Sequence, residues 1–363
     1  YENLDGNANI TGLQTVNGVV YDPTVLDQPG VVMEGGTTLD FIFNDFQGGE
    51  VYDHFDVELT AGMGTIFNPA LLAGTTASAT FSDGDIQNGV FNTTGSLTMV
   101  AASLEGGFTM NTENGVLLTA ANGSDIGILN IDNNTSDSNG LGGIVLDITD
   151  STLPGPGAPG TVNNNILTNN MNGDGISLLT PDTNGTPIGL NFTDNTITDN
   201  IGGSGINIAL DTNAGGLTSE ISGNTISNNE NFGVRIDAID DVDLNLTIGD
   251  SMGNANVIDG NTDAGVAITM MDDVTSTITV QNTTISNTTN GTDVDFAGQG
   301  LAIRLMDNAE LTDLTIGDVA LMNTTISGNS SNEIEISATQ NAVLTDPTIQ
   351  NVMVDGDNTA GDG

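Results

Sequence analysis

The chain has 363 residues, 48 Asp and Glu, two Arg, no Lys and a formal net charge of −46. Such a surface repels nucleic acid, whose affinity rests on Lys and Arg at phosphates, and it disfavours anionic membranes; its natural partners are cations. The absence of Cys excludes disulfides, thiolate catalysis and Cys-based metal centres, and no run of about 20 apolar residues is present to span a bilayer.

The sequence begins at Tyr1 without a signal-like segment, so a processed chain whose export signal has been removed is expected. Residues 1–110 carry β-like runs such as Leu39-Asp40-Phe41-Ile42-Phe43 and Ser96-Leu97-Thr98-Met99-Val100, and most of the aromatics. They read as a separate β region, or as irregular first turns plus a cap. Asn, Thr, Gly and Asp dominate the remainder; they form turns well and helices poorly.

From Gly115 onward one element recurs: Gly, an aliphatic residue, any residue, another aliphatic. It stands at Gly115, Gly143, Gly175, Gly205, Gly233, Gly265 and Gly300, with a last copy at Glu333 that lacks the Gly. Successive spacings are 28, 32, 30, 28, 32, 35 and 33 residues. A second element precedes the Gly, as in Asn195-Thr196-Ile197-Thr198-Asp199-Asn200. A third lies between them, as in Leu244-Asn245-Leu246-Thr247-Ile248. Each repeat therefore holds three short alternating strands separated by polar turns, with one face in and one face out. One repeat cannot bury its apolar face alone, but a stack can.

The pattern Asn-Thr-Ile-Ser-x-Asn followed by Gly-Ile-x-Ile resembles the right-handed parallel β-helix repeat of the pectate-lyase-like superfamily. The resemblance covers roughly residues 111–352. It implies an all-β solenoid of about eight regular three-strand rungs over 111–354, preceded by the irregular region and followed by a polar tail, 355–363. It says little about function, since that superfamily includes lyases, hydrolases, epimerases, adhesins and phage spikes. Eight rungs at about 4.8 Å give a regular rod near 40 Å long.

In such a stack, equivalent positions form columns. Seven residues after the anchors lie Asn122, Asp150, Asp182, Thr212, Asp240, Asp272, Asp307 and Gln340. The ridge is densest at Asp240, Asp241, Asp272, Asp273 and Asp307. Stacked carboxylates repel, by roughly 1 kcal/mol per pair in water. A Ca²⁺ between rungs reverses that sign, because it accepts six to eight oxygens in flexible geometry. The competing reading is an Asp-rich turn chosen for its conformation. Asp83/Asp85 and Asp293/Asp295 are weaker acidic pairs. Asn165, Asn195, Asn224 and Asn256 precede the Ile strand, and Asn170, Asn200 and Asn229 follow it; rung-to-rung bonding between stacked side chains is expected of both sets.

The catalytic inventory is thin. Arg235, Arg304 and His54 are the only basic side chains. Arg235 points outward, and Arg304 shares a column with Asp237 two rungs away, which suits salt bridging. An inverting glycosidase needs only two carboxylates about 6.5–9.5 Å apart, which neighbouring rungs supply almost automatically. The outward column beside the anchors (Leu117, Val145, Ser177, Asn207, Arg235, Ala267, Ala302, Glu335) offers no aromatic platform for sugar. An antifreeze-like face requires a flat array of matching Thr, and the Thr columns look too irregular. The expected function is therefore a non-enzymatic extracellular or cell-surface protein: a self-associating, cation-stabilised subunit of a surface layer, sheath, fibre or adhesin filament. A secreted polysaccharide-active hydrolase, or a carbohydrate-binding β-helix, is the alternative.

Overall fold

A computed structural model describes residues 114–355, apart from short stretches at 121–124, 127–128, 150–151, 184, 212–213, 251–252, 294 and 318–322. Of residues 1–113 it describes strands alone. His54, Asp83 and Asp85, and the tail beyond 355, lie outside the residues whose side chains are described.

The protein is an all-β parallel solenoid of three sheets, with about seven turns from residue 130 onward. Each turn contributes a strand to the first sheet (such as Asp243–Ile248), the second (Thr225–Ser227) and the third (Val234–Ile239). The third sheet has eight strands, from Val116–Ala120 to Ile334–Ala338, one for each anchor read from the sequence. All its pairings are parallel, and the anchor positions stack in register: Ile144, Ile176, Ile206, Val234, Val266, Leu301, Ile334. Parallel pairing also extends upstream, where Leu39–Phe46 pairs with Thr76–Ile86, which pairs with Thr98–Leu104.

Alternation explains the core. In the third sheet Ile206, Ile208 and Leu210 face inward with almost no exposure, while Asn207 and Ala209 face out. In the second sheet a single central residue per strand is buried, as at Leu167, Ile197, Ile226 and Ile258. The corners flanking the second sheet require left-handed backbone, which Asn, Asp and Gly tolerate best. Before the strand stand Asn164 (φ 52°), Asp194 (54°) and Gly223 (70°); after it stand Asn169 (54°), Asp199 (58°) and Asn228 (55°). These six positions are why the repeat reads as polar punctuation around one Ile.

The anchor glycine has a different cause. A Cβ at Gly205 would collide with Ile226 Cγ2 and stand 2.7 Å from the Gly233 carbonyl oxygen. The chain turns so tightly onto the second-sheet Ile that only hydrogen fits.

Two ladders of buried asparagine run along the interior corners. Asn195 Nδ2 donates to Asn224 Oδ1 (3.0 Å) and to the Val162 carbonyl (2.8 Å), and its own Oδ1 accepts from Asn165 N (3.0 Å) and Nδ2 (2.9 Å). The same pattern links Asn134 to Asn165 and Asn224 to Asn256. The second ladder links Asn139, Asn170, Asn200, Asn229 and Asn261 at 2.8–2.9 Å. Each amide thus satisfies backbone groups that a corner would otherwise bury unpaired. The asparagine columns expected from the sequence are these ladders. They falter near the C-terminus, where Thr283 and Thr324 continue the first and Thr288 interrupts the second; the hydroxyls of Thr288 and Thr324 are buried without a partner.

Candidate functional site

The outer face of the third sheet gathers the chemistry. Strand Val234–Ile239 carries Arg235 and Asp237 two residues apart on that face, and Arg235 Nε donates to Asp237 Oδ2 at 2.6 Å. Register places Asp237 beside Thr269 and Thr269 beside Arg304, as the column count expected. Arg304 nevertheless pairs elsewhere. It reaches Glu335 on the following strand (3.6 Å) and Asp295 in the long turn before its own strand (3.5 Å). Two rungs are roughly twice the 4.8 Å strand spacing, so the nearer carboxylates win.

Glu335 is tightly held. Asn332 Nδ2 (3.0 Å) and Gln299 Nε2 (3.2 Å) both donate to its Oε2. Loss of hydration pushes its carboxyl up, but these two bonds and the Arg304 charge outweigh that and hold it below the usual carboxylate range.

Both arginines lie over aromatic rings. Arg235 sits 5.0 Å from the Phe232 centroid and Arg304 4.1 Å from that of Phe296. The rings meet edge to face at 5.7 Å. With Ala264, Ala267 and Ala302 they form a small apolar cluster outside the solenoid. The outward column itself holds no aromatic, as read from the sequence. The rings come instead from the turns before Gly233 and Gly300. Three alanines beneath them and the 35-residue spacing between Gly265 and Gly300 were the only traces of this in the sequence.

Toward the N-terminal side the same face is polar. Asp174 accepts from Ser177 Oγ (2.8 Å), Asn207 Nδ2 (2.9 Å) and the Ser204 backbone N–H (2.7 Å). Asp147, outward on Ile144–Thr149, is half-buried, and loss of hydration raises its carboxyl above the usual range.

The predicted acidic ridge lies apart, at the turn leaving the third sheet. Asp240, Asp272 and Asp307 adopt left-handed backbone, at 64°, 63° and 56°, and Gln340 continues the column at 60°. The turn-conformation reading therefore has a direct cause. The ridge also sets like charges near one another. Loss of hydration raises the Asp272 carboxyl, and the charges of Asp307, Asp240 and Asp273 raise it further. Asp241 and Asp273 are exposed beside it. Among the described residues, no three acidic or imidazole side chains converge on a metal-sized space. Asp293 Oδ1 caps its own turn, accepting from the backbone N–H groups of Asp295 and Phe296.

No family model matches the chain, and no curated protein matches it. Among solved structures, the A-module of a mannuronan C-5 epimerase from Azotobacter vinelandii is similar at 15% identity, over 90% of each chain, with a TM-score of 0.35. No helix among the described residues is long and apolar enough to cross a membrane.

Proposed function

We propose that this is an extracellular carbohydrate-handling β-helix that binds a polysaccharide along the outer face of its third sheet. The observation that carries the reading is the convergence of Arg235, Asp237 and Asn207 on adjoining strands of one face, with Asp174 held against Asn207 from the turn before the preceding strand, beside the Phe232–Phe296 cluster. Extended glycans are held by rows of fixed polar groups next to apolar surface. The chain's charge favours a neutral glycan over an acidic one. Asp147 is the group on that face best suited to hold and donate a proton, since burial keeps its carboxyl protonated to higher pH. The test is retention on a panel of immobilised polysaccharides, with products followed by mass spectrometry. Arg235→Gln should weaken binding of the retained glycan about tenfold, roughly 1.4 kcal/mol. Equal binding by the variant, or no retention by any glycan, rejects the reading.

A second reading, a self-assembling surface subunit, has its own support at the C-terminal end. Ile349 and Val354 occupy positions equivalent to the buried Ile316 and Ile326, yet are 52% and 51% exposed. A further rung stacked there would cover them, and in this reading a neighbouring subunit supplies it. In this reading Ca²⁺ bridges neighbouring rungs at Asp240, Asp272 and Asp307 and stiffens the rod. Electron microscopy with Ca²⁺ and with a chelator tests it: filaments that dissolve on chelation support it, and monomers in both conditions reject it.

A further inference from the structure

The second sheet holds an array that neither proposed function uses. Its strands are three or four residues long, and each presents two outward side chains around one buried residue. The first outward column contains Thr196, Thr225, Thr284 and Thr325; the second contains Thr198, Ser227, Ser286 and Ser327. Between these two pairs of rungs stand Val257 and Asp259. All pairings are parallel and free of register shifts, so within each pair of rungs the hydroxyls stand about 4.8 Å apart along the rod and about 6.6 Å apart across each strand. Turns of unequal length bring these rungs into register, but the irregularity seen in the sequence persists along the columns: Ile166, Val257 and Met353 stand in the first, and Asp137, Asp259 and Asp355 in the second.

We infer that this face binds ice. Three features point there. First, Ser286 Oγ donates to Asp259 Oδ1 at 2.7 Å, while the other seven hydroxyls make no hydrogen bond to a described residue and are left to water. Second, the outward pairs of these four rungs are uncharged in a strongly acidic chain, the carboxylates of this column standing in other rungs, at Asp137, Asp259 and Asp355. Third, Thr is β-branched and stiff about χ1, so each hydroxyl–methyl pair holds a set direction on a rigid backbone. A surface so preordered loses little entropy on meeting a periodic partner. The partner must repeat on the same scale in two dimensions, as the oxygen rows of an ice plane do. A glycan fits less well, because neither column offers an aromatic ring or an amide in these rungs.

The experiment is thermal hysteresis of the full chain, with partition into a slowly growing ice hemisphere. The wild type should enter the ice and open a gap between melting and freezing points. Thr225→Lys, at an exposed position, should lose most of that gap with an unchanged thermal melt by circular dichroism. Val257→Thr combined with Asp259→Ser joins the two halves of the array and should widen the gap. Arg235→Gln, on the other sheet, should leave it unchanged. No gap and exclusion from ice in the wild type overturns the inference. So does a full gap in Thr225→Lys, or retention on a polysaccharide that Thr225→Lys abolishes in a protein without hysteresis.

Discussion

Replacing Asn195 by Ala removes one member of the first asparagine ladder in the middle of the stack. Asn195 is 1% exposed, and its side chain makes four hydrogen bonds: two donated, to Asn224 Oδ1 and the Val162 carbonyl, and two accepted, from Asn165 N and Nδ2. A typical bond contributes about 1 kcal/mol net, and a buried partner left unpaired costs about 1–3 kcal/mol. The four together predict a loss of about 4 kcal/mol, well above the roughly 1 kcal/mol of an average substitution. Urea unfolding of wild type and variant measures it, with hydrogen exchange to locate the loss, because stacked repeats can open segment by segment. Exchange should accelerate first at Asn165, whose backbone N–H loses its acceptor, Asn195 Oδ1. Asn164→Asp, at an exposed left-handed corner one residue before the ladder, is the control and should cost far less. A loss below about 1 kcal/mol for Asn195→Ala would refute the claim that the ladders hold the corners together.

Thr288→Asn restores the carboxamide missing from the second ladder; gaining a bond and removing an unpartnered buried hydroxyl should raise stability by about 1–2 kcal/mol, read by the same urea titration. Gly205→Ala drives a methyl into Ile226 and the Gly233 carbonyl and should cost about 1–3 kcal/mol, seen as a lower melting temperature. Asp272→Asn keeps a residue suited to the left-handed turn and removes one charge from the ridge. The Asp272 carboxyl is raised in the folded state, so the folded chain binds the proton more readily than the unfolded chain, and its charge disfavours folding at neutral pH. The variant should therefore melt higher than wild type at neutral pH and low salt. The advantage should vanish as acid protonates Asp272, and the variant should show a smaller gain in melting temperature on adding Ca²⁺. An equal calcium gain in both proteins removes Asp272 from any calcium site.

The solenoid, its eight third-sheet strands and its two asparagine columns were legible because a repeat converts sequence spacing into spatial register. Gly205, Ile206 and Ile208 need only their own periodicity to say which face is inside. The Asp ridge was legible for the same reason, since Asp240, Asp272 and Asp307 stand at one offset from their anchors. The Phe232–Phe296 contact was not. Each ring lies in a turn outside the periodic positions, and the turns differ in length. Nor were the partners of Arg304 legible, because a column count ranks Asp237 beside it while a flexible guanidinium reaches whichever carboxylate is nearest.

By itself the sequence determined what the backbone repeats: strand alternation, the glycine that admits no side chain, and corners that demand Asn, Asp or Gly. These are local steric and hydrogen-bonding requirements, written once per rung. Only the tertiary structure decided how unequal turns realign. It alone brought two aromatic rings over the third sheet, turned Arg304 to Asp295 and Glu335, and left Ile349 and Val354 half exposed in the last described rung. Those outcomes depend chiefly on distances between residues about 30 or more apart, which the rung geometry sets and chain order alone does not.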